Sequence, residues 1–148
     1  ANDLDTPISA LLKLRGNGAH AFLLESVEGG NSLGRYSVLG FDPDQIWRLE
    51  QGQISVNSDY ATNPDDFQPL YGDPIAALRE FLAKQQAFIP ADAPPMAGAV
   101  FGYLGYGFAR LGEAKLPDSL PDELGLPDGY LLRPKLLLVF DHVRREIF

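Results

Sequence analysis

The fold is decided in the stretch Gln45-Ile46-Trp47-Arg48-Leu49-Glu50-Gln51-Gly52-Gln53-Ile54-Ser55-Val56-Asn57. Apolar and polar residues largely alternate on both sides of the Gln-Gly pair, as they do in strands that bury one face. Two such runs joined by two residues, the second a glycine, predict a β-hairpin. The sheet is therefore expected to be antiparallel at this point.

Further strand patterns lie on both sides of the hairpin. The apolar residues 21–24 predict a strand buried on both faces, because no polar residue interrupts them. Residues 35–41 predict a second strand that ends at Asp42-Pro43. Later strands are predicted at residues 98–107, where recurring glycines indicate close approach of a neighbour, and at 131–141, with an interruption at Arg133-Pro134.

Two helices complete the prediction. Thr6-Pro7 begins a short helix that Gly16 ends, and Asp73-Pro74 begins an amphipathic helix whose apolar face carries Ile75, Leu78, Phe81 and Leu82. Strand patterns outnumber helix patterns. The predicted class is α+β, with a mainly antiparallel β-sheet and two or more flanking helices.

The composition excludes several classes of protein. The chain has 148 residues, an ordinary globular composition and a size typical of one domain. Its net charge of -8 disfavours nucleic acid and anionic membranes as partners. The absence of cysteine excludes disulfides and thiolate sites, and no apolar run is long enough to cross a bilayer. A cytoplasmic location is expected.

No motif for catalysis or metal binding is complete. The glycines from position 98 onward do not form a dinucleotide fingerprint, because Arg110 stands where the last glycine is required. His20 and His142 lie alone at predicted strand edges, without the other ligands that a metal site needs. We therefore predict no catalytic residue and no metal ligand in this chain.

One strand-loop-strand segment collects unusual polar groups. Glu25 and Ser26 precede the glycine-rich loop 28–34, and Arg35-Tyr36-Ser37 follows it. A carboxylate, hydroxyls and backbone carbonyls beside apolar strands suit a small zwitterion. The same residues also fit a capped hairpin with a glycine bulge, and the spacing alone favours this second interpretation.

Leu23-Leu24-Glu25-Ser26 followed by Arg35-Tyr36-Ser37 resembles the N-terminal region of anthranilate synthase component I, within the family of chorismate-utilising enzymes. Similar stretches continue at residues 3–7, 98–106, 116–117 and 126–128, so the resemblance covers almost the whole chain. One departure is Gly107, where the family usually has an acidic residue.

The resemblance implies that residues 1–148 are the N-terminal region of a lyase that converts chorismate and glutamine-derived ammonia to anthranilate and pyruvate, in tryptophan biosynthesis. It implies Mg2+ as cofactor, with ligands in a C-terminal chorismate-binding domain absent from this chain, and a glutamine amidotransferase subunit, component II, as partner. The full-length protein would fold as a larger two-layer sandwich. The apolar end at Phe148 also indicates that the chain is cut from a longer protein. This fragment alone is expected to be inactive.

The resemblance further implies that this region contributes to the allosteric site for the feedback inhibitor tryptophan. The residues that match the family's site are Leu24, Glu25, Ser26, Arg35, Tyr36 and Ser37. Two alternatives stay open. The parent protein could be aminodeoxychorismate synthase component I of the folate pathway, or the chain could be a freestanding amino-acid-binding module.

Overall fold

The computed structural model describes residues 4–16, 20–28, 32–85, 89–113, 115–116 and 124–148. Within these ranges the chain forms two α-helices, seven strands and a 3-10 helix. In chain order they are α1 (Pro7–Leu14), β1 (Ala21–Glu28), β2 (Ser32–Glu50), β3 (Gln53–Asn57), β4 (Gln68–Leu70), α2 (Pro74–Lys84), β5 (Phe101–Leu104), the 3-10 helix (Tyr106–Leu111), β6 (Gly129–Asp141) and β7 (Glu146–Ile147).

The strands form one sheet with the order β4-β3-β2-β6-β5, in which β1 also pairs with β2 and β7 with β6. The pairs β1-β2, β2-β3, β3-β4, β5-β6 and β6-β7 are all antiparallel. Together with the two helices, this confirms the predicted α+β class with a mainly antiparallel sheet.

The predicted hairpin is confirmed. Glu50 pairs with Gln53, so the turn contains only Gln51 and Gly52. Both residues have positive φ, 49° and 75°, as a type I′ turn requires. Glycine adopts this conformation without steric cost, which explains the sequence signal.

The described residues group into two compact units. The first contains Ala1–Pro43, Ile89–Ala97 and Pro134–Phe148, and the second contains Asp44–Phe88 and Gly98–Arg133. The long strands β2 and β6 each contribute to both units. The sequence placed a strand end at Asp42-Pro43 and an interruption at Arg133-Pro134. Both strands continue through these positions, and the prolines mark the unit boundaries instead.

The first unit has a core of Ala10, Leu39, Phe41 and Phe140. Helix α1 supplies Ala10 and begins with the predicted cap at Thr6. The Thr6 hydroxyl accepts from the Ser9 backbone N–H at 3.1 Å, and the Ser9 hydroxyl accepts from the Thr6 backbone N–H at 2.9 Å. This reciprocal pair satisfies backbone donors that a helix start leaves without partners.

The second unit has a core of Trp47, Leu49, Ile54, Leu78 and Phe81. Helix α2 begins as predicted, because the Asp73 carboxylate accepts from the Ala76 backbone N–H at 2.8 Å. The helix buries Leu78 and Phe81, but Leu82, which was predicted on the buried face, is 41% exposed.

Two predicted strands differ from the structure. Strand β1 was predicted to be buried on both faces, but its residue Leu24 is 53% exposed. Strand β1 pairs with β2 and lies outside the strand order β4-β3-β2-β6-β5. The strand expected over residues 98–107 is confined to β5, and the 3-10 helix follows it. The predicted close approach is present at Gly102, where a Cβ would overlap the backbone carbonyl of Tyr130.

Candidate functional site

Strands β1 and β2 place the predicted site residues opposite one another. Leu24 pairs with Val38 and Glu25 with Ser37, and the register then shifts between Glu25 and Val27. Ser26 lies at this irregularity, where the regular pairing of the two strands is interrupted. Residues 29–31 of the glycine-rich loop lie outside the described residues.

An open hollow of about 590 Å³ lies beside this irregularity. Its volume is within the usual range for a small-molecule site. Two charged side chains of opposite sign, two side chains with a hydroxyl and three apolar side chains line it. The lining residues are Leu24, Glu25, Ser26, Arg35, Tyr36, Val38 and Met96.

The close approach of Gly34 fixes the position of Ser26. A Cβ on Gly34 would overlap the Ser26 side chain and stand only 2.7 Å from its backbone oxygen. Any larger residue at position 34 would therefore push Ser26 away. Glycine is required here for space, and the resulting contact sets one wall of the hollow.

The Arg35 guanidinium is held from two sides. Its Nε and Nη2 donate to Asp141 Oδ2 at 3.2 and 3.0 Å, and its central carbon lies 4.9 Å from the centre of the Tyr36 ring. The hydrogen bond from Arg35 lowers the pKa of Asp141 below its ordinary value, and the same bond raises the pKa of Arg35. Neither bond to Asp141 uses Nη1. An anchored arginine beside a hollow suits recognition of a carboxylate.

Ser37 is the one predicted site residue that does not line the hollow. Its side chain is buried, and its Oγ lies 2.7 Å from His142 Nε2 and 3.4 Å from Glu25 Oε1. Ser37 therefore contacts the lining residue Glu25 without facing the hollow itself. The structure brings the other five predicted residues together.

Two lining residues were absent from the prediction. The register of the hairpin would have identified Val38, because it pairs directly with Leu24. Met96 belongs to the segment Ile89–Ala97, which is remote in sequence, and no local pattern indicates that it joins β1 and β2. Its thioether is suited to contact with an aromatic ligand.

Among the described residues, no three His, Asp or Glu side chains are grouped closely enough to hold a metal ion. The described side chains therefore offer no assembled set of three such ligands for Mg2+. No described helix has the length and hydropathy needed to cross a membrane.

Comparison with known proteins identifies relatives over nearly all of the chain. Anthranilate synthase component 1 of Cereibacter sphaeroides is 46% identical over 145 residues, which is 98% of this chain and 29% of the relative. The protein of the same name from Thermus thermophilus is 37% identical over 142 residues, 96% of this chain and 28% of the relative. The resemblance to anthranilate synthase component I is confirmed.

A solved structure agrees with this result at the level of the fold. The crystal structure of anthranilate synthase component I from Streptococcus pneumoniae matches 98% of this chain and 29% of its own, with a TM-score of 0.58 and 24% identity. The chain thus spans less than a third of the length of these component I relatives, within their N-terminal region. No protein-family model matches it.

Proposed function

We propose that this chain is the N-terminal, feedback-regulatory part of an anthranilate synthase component I. The names of its relatives support this assignment. The whole protein would be a lyase that converts chorismate and glutamine-derived ammonia to anthranilate and pyruvate. Its catalytic residues and the ligands of Mg2+ would lie in a chorismate-binding domain outside this chain, so the 148 residues alone would be inactive.

The regulatory ligand we propose is tryptophan, bound in the hollow between β1, β2 and the segment of Met96. The observation that carries this proposal is that Glu25 and Arg35 line the same hollow as three apolar side chains. A free amino acid brings an ammonium and a carboxylate together, and opposite charges on the protein match both groups. Leu24, Val38 and Met96 then offer an apolar surface to the indole ring.

Ser26 would complete the recognition of the amino group. Its hydroxyl can accept a hydrogen bond from the ammonium, as can the neighbouring backbone carbonyls. The Glu25 carboxylate supplies the opposing charge from the adjacent position. The Arg35 guanidinium, held by Asp141, retains donors on Nη1 for the carboxylate.

Inhibition would follow from a difference in affinity. Tryptophan that binds one arrangement of the whole protein more tightly than another shifts the population toward the first. When that arrangement has the weaker chorismate site, tryptophan inhibits the reaction, and chorismate in turn weakens tryptophan binding by the same factor. The proposed partners are the component II amidotransferase and the protein's own chorismate-binding domain, in the cytoplasm.

The test is the reaction of the full-length protein with chorismate, ammonia and Mg2+, with and without tryptophan. Formation of anthranilate that tryptophan suppresses supports the proposal. Aminodeoxychorismate as the product would instead assign the protein to folate synthesis. A protein that binds tryptophan but converts no chorismate would be an amino-acid-binding module.

A further inference from the structure

Ser37 and His142 form a partly buried contact behind the proposed ligand-binding hollow. The Ser37 side chain is only 2% exposed. Its Oγ lies 2.7 Å from His142 Nε2, on the side of β6, and 3.4 Å from Glu25 Oε1, on the side of β1. The hydroxyl therefore connects a histidine that does not line the hollow to a carboxylate that does.

Donation from Ser37 to Glu25 would set the order of the hydrogens in this chain of contacts. An ionised Glu25 carboxylate only accepts hydrogen bonds, so the bond to Glu25 must use the single hydrogen of Ser37. Ser37 Oγ must then accept from His142, which requires a hydrogen on Nε2. If Nε2 were bare, Ser37 would donate to it and would turn its lone pairs toward the carboxylate.

His142 is itself held in place. Its backbone N–H donates to the Arg35 carbonyl at 2.9 Å, and its ring stacks on Phe140 with 6.5 Å between centres. The turn that begins at His142 is fixed by Asp141 Oδ1, which accepts from the backbone N–H groups of Val143 and Arg144 at 3.0 Å. The imidazole thus presents Nε2 to Ser37 from a fixed position.

We propose that Ser37 and His142 are positioning residues that hold the Glu25 carboxylate toward the amino group of the ligand. The inference rests on the proposed function for the identity of that ligand. Ser37 and His142 would act on the recognition of a free amino group and leave the recognition of the indole ring unchanged. Arg35 and Asp141, whose positions adjoin Ser37 and His142 in the described chain, are paired with each other.

The test compares two ligands of the full-length protein, tryptophan and indole-3-propionate, which lacks the amino group. Ser37→Ala and His142→Phe each remove one hydrogen-bonding group, and the phenyl ring retains the stack on Phe140. Each substitution should raise the dissociation constant of tryptophan about three- to tenfold, the equivalent of one ordinary hydrogen bond. The dissociation constant of indole-3-propionate should not change.

A rescue variant of His142 and a double-mutant test with Glu25 distinguish a positioning role of Ser37 and His142 from a merely structural one. His142→Gln restores an N–H donor and should return tryptophan affinity close to that of the wild type. In a Glu25→Ala background, Ser37→Ala should have no further effect, because the carboxylate that Ser37 positions is already absent. Glu80→Gln on the exposed side of α2 is the matched surface control and should change neither ligand.

Equal weakening of both ligands, or additive effects with Glu25→Ala, would overturn the inference. Crystal structures of the ligand-free wild type and Ser37→Ala provide a readout that is independent of tryptophan. The inference requires the Glu25 carboxylate to leave its position in the variant, and an unmoved carboxylate would contradict it. Failure of the wild type to bind tryptophan would reject the proposed function, and the crystal structures would still decide the role of Ser37.

Discussion

Asp141 accepts two hydrogen bonds from the Arg35 guanidinium through one oxygen, Oδ2, while its other oxygen holds the following turn. The Asp141 carboxylate is only 2% exposed. Removal of its charge would leave the Arg35 guanidinium without the acceptor that holds it. One residue thus anchors the end of β6 and orients a guanidinium that lines the hollow. The pair connects the stability of the first unit to the geometry of the site.

The pH dependence of stability follows from this pair. The hydrogen bond from Arg35 lowers the pKa of Asp141 below its ordinary value of 3.8. The ionised Asp141 carboxylate therefore makes its full contribution to the free energy of unfolding above pH 3.8. This contribution is lost as the pH falls through the lower pKa that Asp141 has in the folded state. Asp141→Asn should lower stability at neutral pH and flatten its decrease in acid. Denaturant unfolding of both proteins at several pH values would test this, and parallel acid profiles would contradict it.

Substitution of Ser26 should weaken the response to tryptophan. In the full-length protein, Ser26→Ala removes a hydrogen bond to a charged group, which is equivalent to about 1.5–3 kcal/mol. We expect a rise of roughly ten- to a hundredfold in the inhibition constant, with catalysis intact. Inhibition curves for anthranilate formation provide the measurement. A superimposable curve would remove Ser26 from the site.

Substitution of Gly34 should reduce both stability and tryptophan binding, because Ser26 leaves no room for a side chain at position 34. Gly34→Ala places a methyl group against Ser26, and overpacking of this kind costs about 1–3 kcal/mol. The variant should unfold at lower denaturant concentration and bind tryptophan more weakly. Gly112→Ala is the control, because its nearest neighbour would be 3.9 Å away. Equal stability of the two variants would show that the strands adjust freely around position 34.

Tyr130 provides a prediction at high pH. Burial is the main cause that raises its pKa from 10.0 to about 12, and neighbouring Tyr60 adds to the shift. The folded state prefers the neutral phenol, so its contribution to stability is complete below pH 10 and is lost as the pH rises toward 12. Tyr130→Phe should make the decrease in unfolding free energy over this range shallower. Tyr71→Phe, at an 89% exposed position, should retain the wild-type slope, and identical slopes for all three proteins would refute the assignment.

Local signals predicted the elements whose structure is locally determined. The Gln51-Gly52 turn and the caps at Thr6 and Asp73 need only neighbouring residues, and all three are present. The end predicted for the second strand was wrong. Asp42 adopts a positive φ of 48° and the strand continues beyond Pro43, because pairing across the sheet outweighs the local preference.

In the candidate site, too, the sequence identified only residues that are close together along the chain. The polar groups of β1 and β2 stood out together because a short loop joins the two strands, but only the family resemblance favoured a binding site over a capped hairpin. Met96 could not be found in this way, since the segment that carries it reaches the hollow through tertiary packing. The orientation of Ser37 was also inaccessible, because it depends on His142, which lies 105 positions later in the chain.

The most direct test of the central claim is a calorimetric titration of the full-length protein with tryptophan, repeated for Glu25→Gln and for the surface control Glu80→Gln. Tryptophan binding in this hollow predicts saturable binding in the wild type and in Glu80→Gln. It predicts binding weakened at least about tenfold in Glu25→Gln, where a charged hydrogen bond is lost. Equal affinity in all three proteins would contradict the placement of tryptophan at this hollow.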